Sequence, residues 1–194
     1  VGKVATSDCD GPAGVNNFIT GTYGTPYPTE VLMAQTWNTD LLYDLGLAMG
    51  QEYADVNNYG VYGPAMNTHR SAFAGRNFEY YSEDGVLAGK LAAAQVNAMA
   101  TKGTYNYIKH FALNDQETNR CAFLLTYSNE QAIREIYLKP FELCIKNFDG
   151  TQIAVMSSFN WIGTVPACAN EDTLTTILRN EWGFQGMVIT DYDL

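Results

Sequence analysis

The sequence predicts an α/β fold, a parallel sheet wrapped by helices, and two observations carry that prediction. Strand-like and helix-like stretches alternate along most of the 194 residues, which is the order that parallel β-α-β units require. Near the end, in Trp182-Gly183-Phe184-Gln185-Gly186-Met187-Val188-Ile189-Thr190-Asp191, an apolar run bounded by Gly186 reads as a strand buried on both faces, and an ionisable residue follows it at once. In an α/β barrel the carboxyl ends of the strands form the rim where chemistry is done. Asp191 on such a rim is a candidate nucleophile, although the stretch alone also allows a helix or turn cap. Asp193 is a competing carboxylate, but it lies further into the loop.

Taken in order, residues 1 to 37 are rich in Gly, Pro, Thr and Tyr and predict irregular loops, with Asp8-Cys9-Asp10-Gly11-Pro12 near the start. From Asn38 the residues Leu41, Leu42, Leu45, Ala48, Met49 and Tyr53 recur at helical spacing after an Asn-Thr-Asp start. Asn57 to Met66 reads as a short strand and a loop. Ser82-Glu83-Asp84 opens a second helix through Leu87, Leu91, Ala94 and Ala98 to Gly103, its acidic residues suited to the positive end of the dipole. Tyr105 to Phe111 carries β-forming residues and ends in Lys109-His110. Ser128-Asn129-Glu130-Gln131 matches a capping box for a third helix, in which Pro140 predicts a kink or break. Ile153 to Ser157 is a strand, and Asn170-Glu171-Asp172 starts a fourth helix that Gly183 ends. No internal repeat or linker interrupts the pattern, so one domain is expected.

Composition narrows the partners. With 21 acidic against 11 basic residues the net charge is -10, which disfavours nucleic acid or an anionic membrane surface and suits a neutral ligand such as a sugar. No run of about 18 apolar residues exists to span a membrane, and Val1-Gly2-Lys3 does not open a secretory signal. Cys9, Cys121, Cys144 and Cys168 show no CxxC pairing, so free thiols and no metal site are expected. Free thiols favour a reducing cytoplasm, while the compartment itself is not encoded in this stretch.

Polar residues gather at the predicted strand ends and loops: Asp10, Arg76, Lys109, His110 and Asp191. Together they offer the donors and acceptors that a neutral polyhydroxyl ring needs. Taken one at a time each also has a structural use, as a turn residue or an ion-pair partner.

Five blocks carry a resemblance. They are Asp10-Gly11-Pro12; Gly75-Arg76-Asn77-Phe78-Glu79 with Ser82-Glu83-Asp84; Lys109-His110-Phe111 with Asn114-Asp115-Gln116-Glu117-Thr118-Asn119-Arg120; Val155-Met156-Ser157-Ser158-Phe159-Asn160; and Glu181-Trp182-Gly183-Phe184 running into Thr190-Asp191. In this order, and over most of the chain, they resemble the N-terminal catalytic domain of glycoside hydrolase family 3. The Lys109 to Asn114 block is similar to the β-glucosidase branch, and the His-Asp signature of the branch that cleaves N-acetylglucosamine linkages is absent.

The resemblance implies an incomplete (β/α)8 TIM-type barrel, with residues 1–194 forming most of the catalytic barrel and the remainder of it, with a second α/β sandwich domain, lying outside the chain. It implies a retaining exo-β-glycosidase that needs neither metal nor organic cofactor. Asp191 would be the nucleophile, Asp10, Arg76, Lys109 and His110 would bond the hydroxyls of the terminal non-reducing sugar, and Met156 and Tyr192 would line its pocket. The cations at Arg76 and Lys109 are expected to lower the pKa of Asp191. Phe159 stands where many relatives carry Tyr, and Tyr192 where a Trp often follows the nucleophile, which bears on substrate preference. Retention also needs a second carboxyl group as acid/base. Glu79, Glu117 and Glu171 are better explained by structural bonding or helix capping, so the acid/base is expected from a second domain or chain, and the chain is expected to be a piece of a larger enzyme. A homo-oligomer is compatible with this reading. Other β-glycosidase specificities such as β-xylosidase, a phosphorolytic relative, and a non-catalytic carbohydrate-binding remnant are the alternatives.

Overall fold

The computed structural model describes residues 6–192; Val1-Gly2-Lys3 and Asp193 lie outside them. Along the chain come β1 (Ser7–Asp10), the short strands β2 (Asn16–Asn17) and β3 (Thr22–Tyr23), helices α1 (Glu30–Ala34) and α2 (Thr39–Asp55), β4 (Asn58–Tyr62), α3 (Gly85–Ala100) and β5 (Tyr105–Phe111). Then follow β6 (Leu125–Thr126), α4 (Glu130–Ala132), a π-helical turn at Ile133–Tyr137, α5 (Lys139–Lys146), β7 (Ile153–Ser157), β8 (Trp161–Ile162), β9 (Val165–Pro166), a π-helical stretch at Asp172–Glu181 and β10 (Val188–Ile189).

The main sheet has the order β10-β7-β5-β4-β1-β2-β3. Its first five strands are parallel neighbours, each joined to the next through helix, and together they form an open sector of a (β/α) barrel. Strand periodicity then sorts the side chains into two layers. Cys9, Val61, Ile108 and Val155 face the helices and join the outer core, whereas Tyr107, Ala154 and Met156 pack with Tyr62, Tyr105 and Ile189 on the inner face.

The helices follow from caps and apolar faces. Asn38 caps α2 by accepting from the Asp40 and Leu41 amides, and Leu42, Met49 and Tyr53 form its buried side. A Cβ on Gly46 would come within 2.6 Å of the Gln95 carbonyl oxygen, so glycine there permits the close approach of α2 to α3.

Three expectations are corrected. Residues 1 to 37 are not merely loops: Ser7–Asp10 is a sheet strand, although its sequence has no β-branched residue, because parallel pairing with β4 supplies what local propensity lacks. Asn129 rather than Ser128 caps α4, accepting from the Ala132 amide at 2.8 Å, while the Ser128 hydroxyl turns to the Asn129 carbonyl. Asp84 caps α3 through Val86 and Leu87, within the expected Ser82-Glu83-Asp84 start. The last strand is half-buried, because β7 is its one partner among the described residues. The break expected at Pro140 is present: the helix widens to a π turn and restarts as α5 with Pro140 in its first turn.

One packing contact reaches the rim directly. The buried Tyr53 hydroxyl lies within 3.3 Å of the carbonyl oxygens of Asp10, Gly11 and Gly14, tying α2 to the loop that leaves β1. Tyr53→Phe is expected to lower stability by about 1–2 kcal/mol, since buried acceptors lose their donor. A urea titration of the purified variant, read as a lower midpoint, checks this.

Candidate active site

A cavity of about 580 Å³ opens at the carboxyl ends of the five parallel strands, and every site residue expected from the sequence lines it. Asp10 arrives on β1, Lys109 and His110 on β5, and Met156 on β7, while Asp191 and Tyr192 follow β10 and Arg76 comes from the loop beyond β4. Alternation explains most of this, because Asp10, Lys109, Met156 and Asp191 share the parity of the inner-face residues Tyr107, Ala154 and Ile189. His110 has the opposite parity. It reaches the cavity because the pairing of β5 with β7 shifts register between Ile108 and Phe111.

Asp191 is almost wholly buried, and its two oxygens differ. Oδ1 accepts from the Tyr192 amide at 2.7 Å, whereas buried Oδ2 has no hydrogen-bond partner and lies 3.7 Å from Nε2 of His110. The expectation of a lowered pKa is overturned: burial raises the carboxyl above its ordinary value, outweighing Arg120, Arg76 and Lys109. Those cations are already compensated. Arg76 pairs with Glu79 through Nε and stands 3.9 Å from Glu117, Lys109 stands 4.0 Å from Glu79, and Arg120 stands 3.1 Å from Glu117.

His110 is held from three sides. Its amide donates to Asn67 at 2.7 Å, its carbonyl accepts from Asn67 at 2.9 Å, and Nδ1 is 3.2 Å from the Tyr80 hydroxyl. Burial pushes its pKa well below the usual histidine range, and Lys109, Arg76 and Arg120 push the same way. The ring is therefore neutral, and its approach to Asp191 is not a charge pair.

Several site residues were not singled out by sequence reasoning. Arg120 sits on the cavity wall with its guanidinium 4.5 Å from the centre of the Phe159 ring, so the residue that replaces a tyrosine serves as a platform for a cation. Asp8 lies on the cavity floor, accepting from the Tyr105 hydroxyl and from that of Tyr107 at 2.9 Å. Period two from Asp10 would have placed it there had β1 been foreseen. Outside the cavity lining, buried Glu30 takes the Ala65 amide between its two oxygens at 3.1 and 3.2 Å, and no sequence signal marks it. Of the other carboxylates considered for acid/base work, Glu79 and Glu117 are committed to the cations, and Glu171 is exposed at the start of the last helix.

Comparison with known proteins agrees with this arrangement. Residues 5–193 match the model of the glycosyl hydrolase family 3 N terminal domain. The chain is 44% identical over 193 residues to beta-glucosidase A of Butyrivibrio fibrisolvens, covering 99% of this chain and 23% of that relative. It superposes with a TM-score of 0.87 and 40% identity on beta-glucosidase 3B from Thermotoga neapolitana, solved with alpha-D-glucose, over 96% of this chain and 26% of that one. A beta-glucosidase from Streptomyces venezuelae, solved with D-glucose, gives a TM-score of 0.91 at 34% identity, over 97% of this chain and 23% of that one. The chain thus spans about a quarter of the length of these relatives. The chain belongs to glycoside hydrolase family 3, by its match to the family's N terminal domain.

Proposed function

We propose that this chain carries the nucleophile and the glucose-binding wall of a retaining exo-β-glucosidase. One observation carries the reading: a buried carboxylate oxygen, Asp191 Oδ2, has no hydrogen-bond partner on the wall of a sugar-sized cavity that Arg76, Lys109 and His110 also line. A group so placed is held ready for an electrophile, because desolvation costs it more than any contact returns. The relatives named as beta-glucosidases and the two structures solved with glucose support the same substrate.

In the proposed double displacement, Asp191 Oδ2 attacks C1 of the terminal glucose while the leaving-group oxygen takes a proton from an acid. Water then attacks C1, gives its proton to the conjugate base of that acid, and breaks the C1–Oδ2 bond to return Asp191 as a carboxylate. The proton donor is assigned to a part of the enzyme outside this chain, since the nearby glutamates are tied to cations. Asp10, Arg76, Lys109 and His110 bond the sugar hydroxyls, and bonds that tighten as the ring flattens favour the transition state over the bound substrate. Met156, buried in the wall, and exposed Tyr192 bound the sugar and its leaving-group side respectively. No step needs a metal or an organic cofactor.

A 2-fluoro glucoside incubated with the full-length protein is expected to label Asp191, as read by peptide mass spectrometry; an intact, unlabelled Asp191 under conditions of saturation sinks the enzyme reading and leaves a sugar binder. Asp191→Gly is expected to lower kcat by on the order of 10⁴-fold or more without unfolding the protein. The pH dependence follows from the direction of the Asp191 shift. Its pKa is raised above the ordinary value of 3.8, and the nucleophile works only when ionised, so kcat/KM is expected to fall toward acid with a limb above that value. A pH–rate profile with full activity retained down to pH 4 contradicts this.

A further inference from the structure

The contacts on the two sides of the His110 ring have a direction, and it is set at a carboxylate. Nε2 lies 3.7 Å from Asp191 Oδ2, a buried carboxylate oxygen that can only accept and has no hydrogen-bond partner. The ring proton therefore belongs on Nε2, and Nδ1 is the bare nitrogen. The Tyr80 hydroxyl, 3.2 Å from Nδ1, is then the donor to it.

We propose that Tyr80 is a positioning residue that fixes His110 as the Nε2–H tautomer, with that N–H directed into the cavity beside Asp191 Oδ2. The surroundings remove the other freedoms. Asn67 clamps both backbone groups of His110, the Tyr80 and His110 rings meet edge to face at 6.1 Å, and both residues are buried. With Nδ1 accepting from Tyr80, a neutral ring must carry its proton on Nε2, the nitrogen 3.7 Å from Asp191. His110 is then a donor only, and a ligand oxygen seated between it and Asp191 must accept from the imidazole. In the other tautomer the bare Nε2 would face bare Oδ2, two acceptors with nothing between them.

The use of this donor to hold a sugar hydroxyl rests on the function proposed above; the tautomer itself does not. The two are tested apart. Neutron diffraction from D2O-exchanged crystals of the full-length protein is expected to show deuterium on Nε2 and none on Nδ1 of His110, with the Tyr80 deuteron aimed at Nδ1. Tyr80→Phe keeps the ring and removes the hydroxyl. It is expected to release the tautomer and lower kcat/KM roughly tenfold, the size of one lost hydrogen bond. Deuterium on Nδ1 in the wild-type protein, or a Tyr80→Phe protein that keeps both the Nε2–D tautomer and its kcat/KM, overturns the proposal. A purely structural role for Tyr80 would lower stability and leave the tautomer where it was.

Discussion

Charge balance at the rim is the constraint on which the rest depends. Arg76, Lys109 and Arg120 line the same cavity as one buried carboxylate, and each draws its pKa down. Left uncompensated, these cations would hold Asp191 as a low-pKa carboxylate. Glu79 and Glu117 prevent that by engaging the cations from behind. Their field at Asp191 is weakened enough that burial decides the sign of its pKa shift. The cations nevertheless keep donors directed into the cavity, where hydroxyls can use them.

Parallel pairing is what brings these groups to one place. Each of the five strands ends on the same rim, and alternation gives each an inward residue there. The floor beneath is set by the same rule. Asp8, two residues before Asp10, takes hydroxyl bonds from Tyr105 and Tyr107, and Gly60 on the neighbouring strand leaves room for its carboxylate, which a side chain at that position would strike. From α1, buried Glu30 grips the Ala65 amide, and next to it the Met66 amide donates to the Lys109 carbonyl while the Lys109 amide donates to Pro64, tying this segment to β5.

How much of this was legible depended on whether a residue's neighbours in sequence also explain its place in space. Asp191 was legible because a short apolar run ends on it, and the helices of Asn38 and Asp84 because cap and apolar period agree. Ser7–Asp10 was not, since four small or polar residues acquire strand structure only from β4, some 50 residues away. The capping box at Ser128 was off by one because Asn129 is itself a strong cap, and only the backbone decides between them. Lys109 and His110 were placed correctly as a pair, yet strict alternation would have sent one of them outward. The register shift that keeps both inside has no signature in the residues. Arg120 lies within a recognisable block and Tyr80 between the two halves of another, but their roles arise from contacts with Phe159 and His110 across 39 and 30 positions. The sign of the Asp191 shift differs from the expectation because burial decides it, and burial depends on how distant parts of the chain pack around the carboxylate.

A neutral histidine beside the carboxylate proposed as nucleophile resolves a conflict that a charged one would create. An imidazolium 3.7 Å from Asp191 would pair with Oδ2, lower its pKa and compete with any electrophile for the oxygen. Burial and three nearby cations exclude that state, so the ring remains a dipole rather than a charge. The two oxygens of Asp191 then divide their work: Oδ1 is fixed by the Tyr192 amide, which sets the orientation of the carboxylate, and Oδ2 is left without a bond in the protein. An oxygen that is anchored through its twin and unsatisfied itself loses little when a new bond forms to it. The energy that burial costs the carboxylate is thereby kept in the form most easily released by reaction with a carbon centre in the cavity.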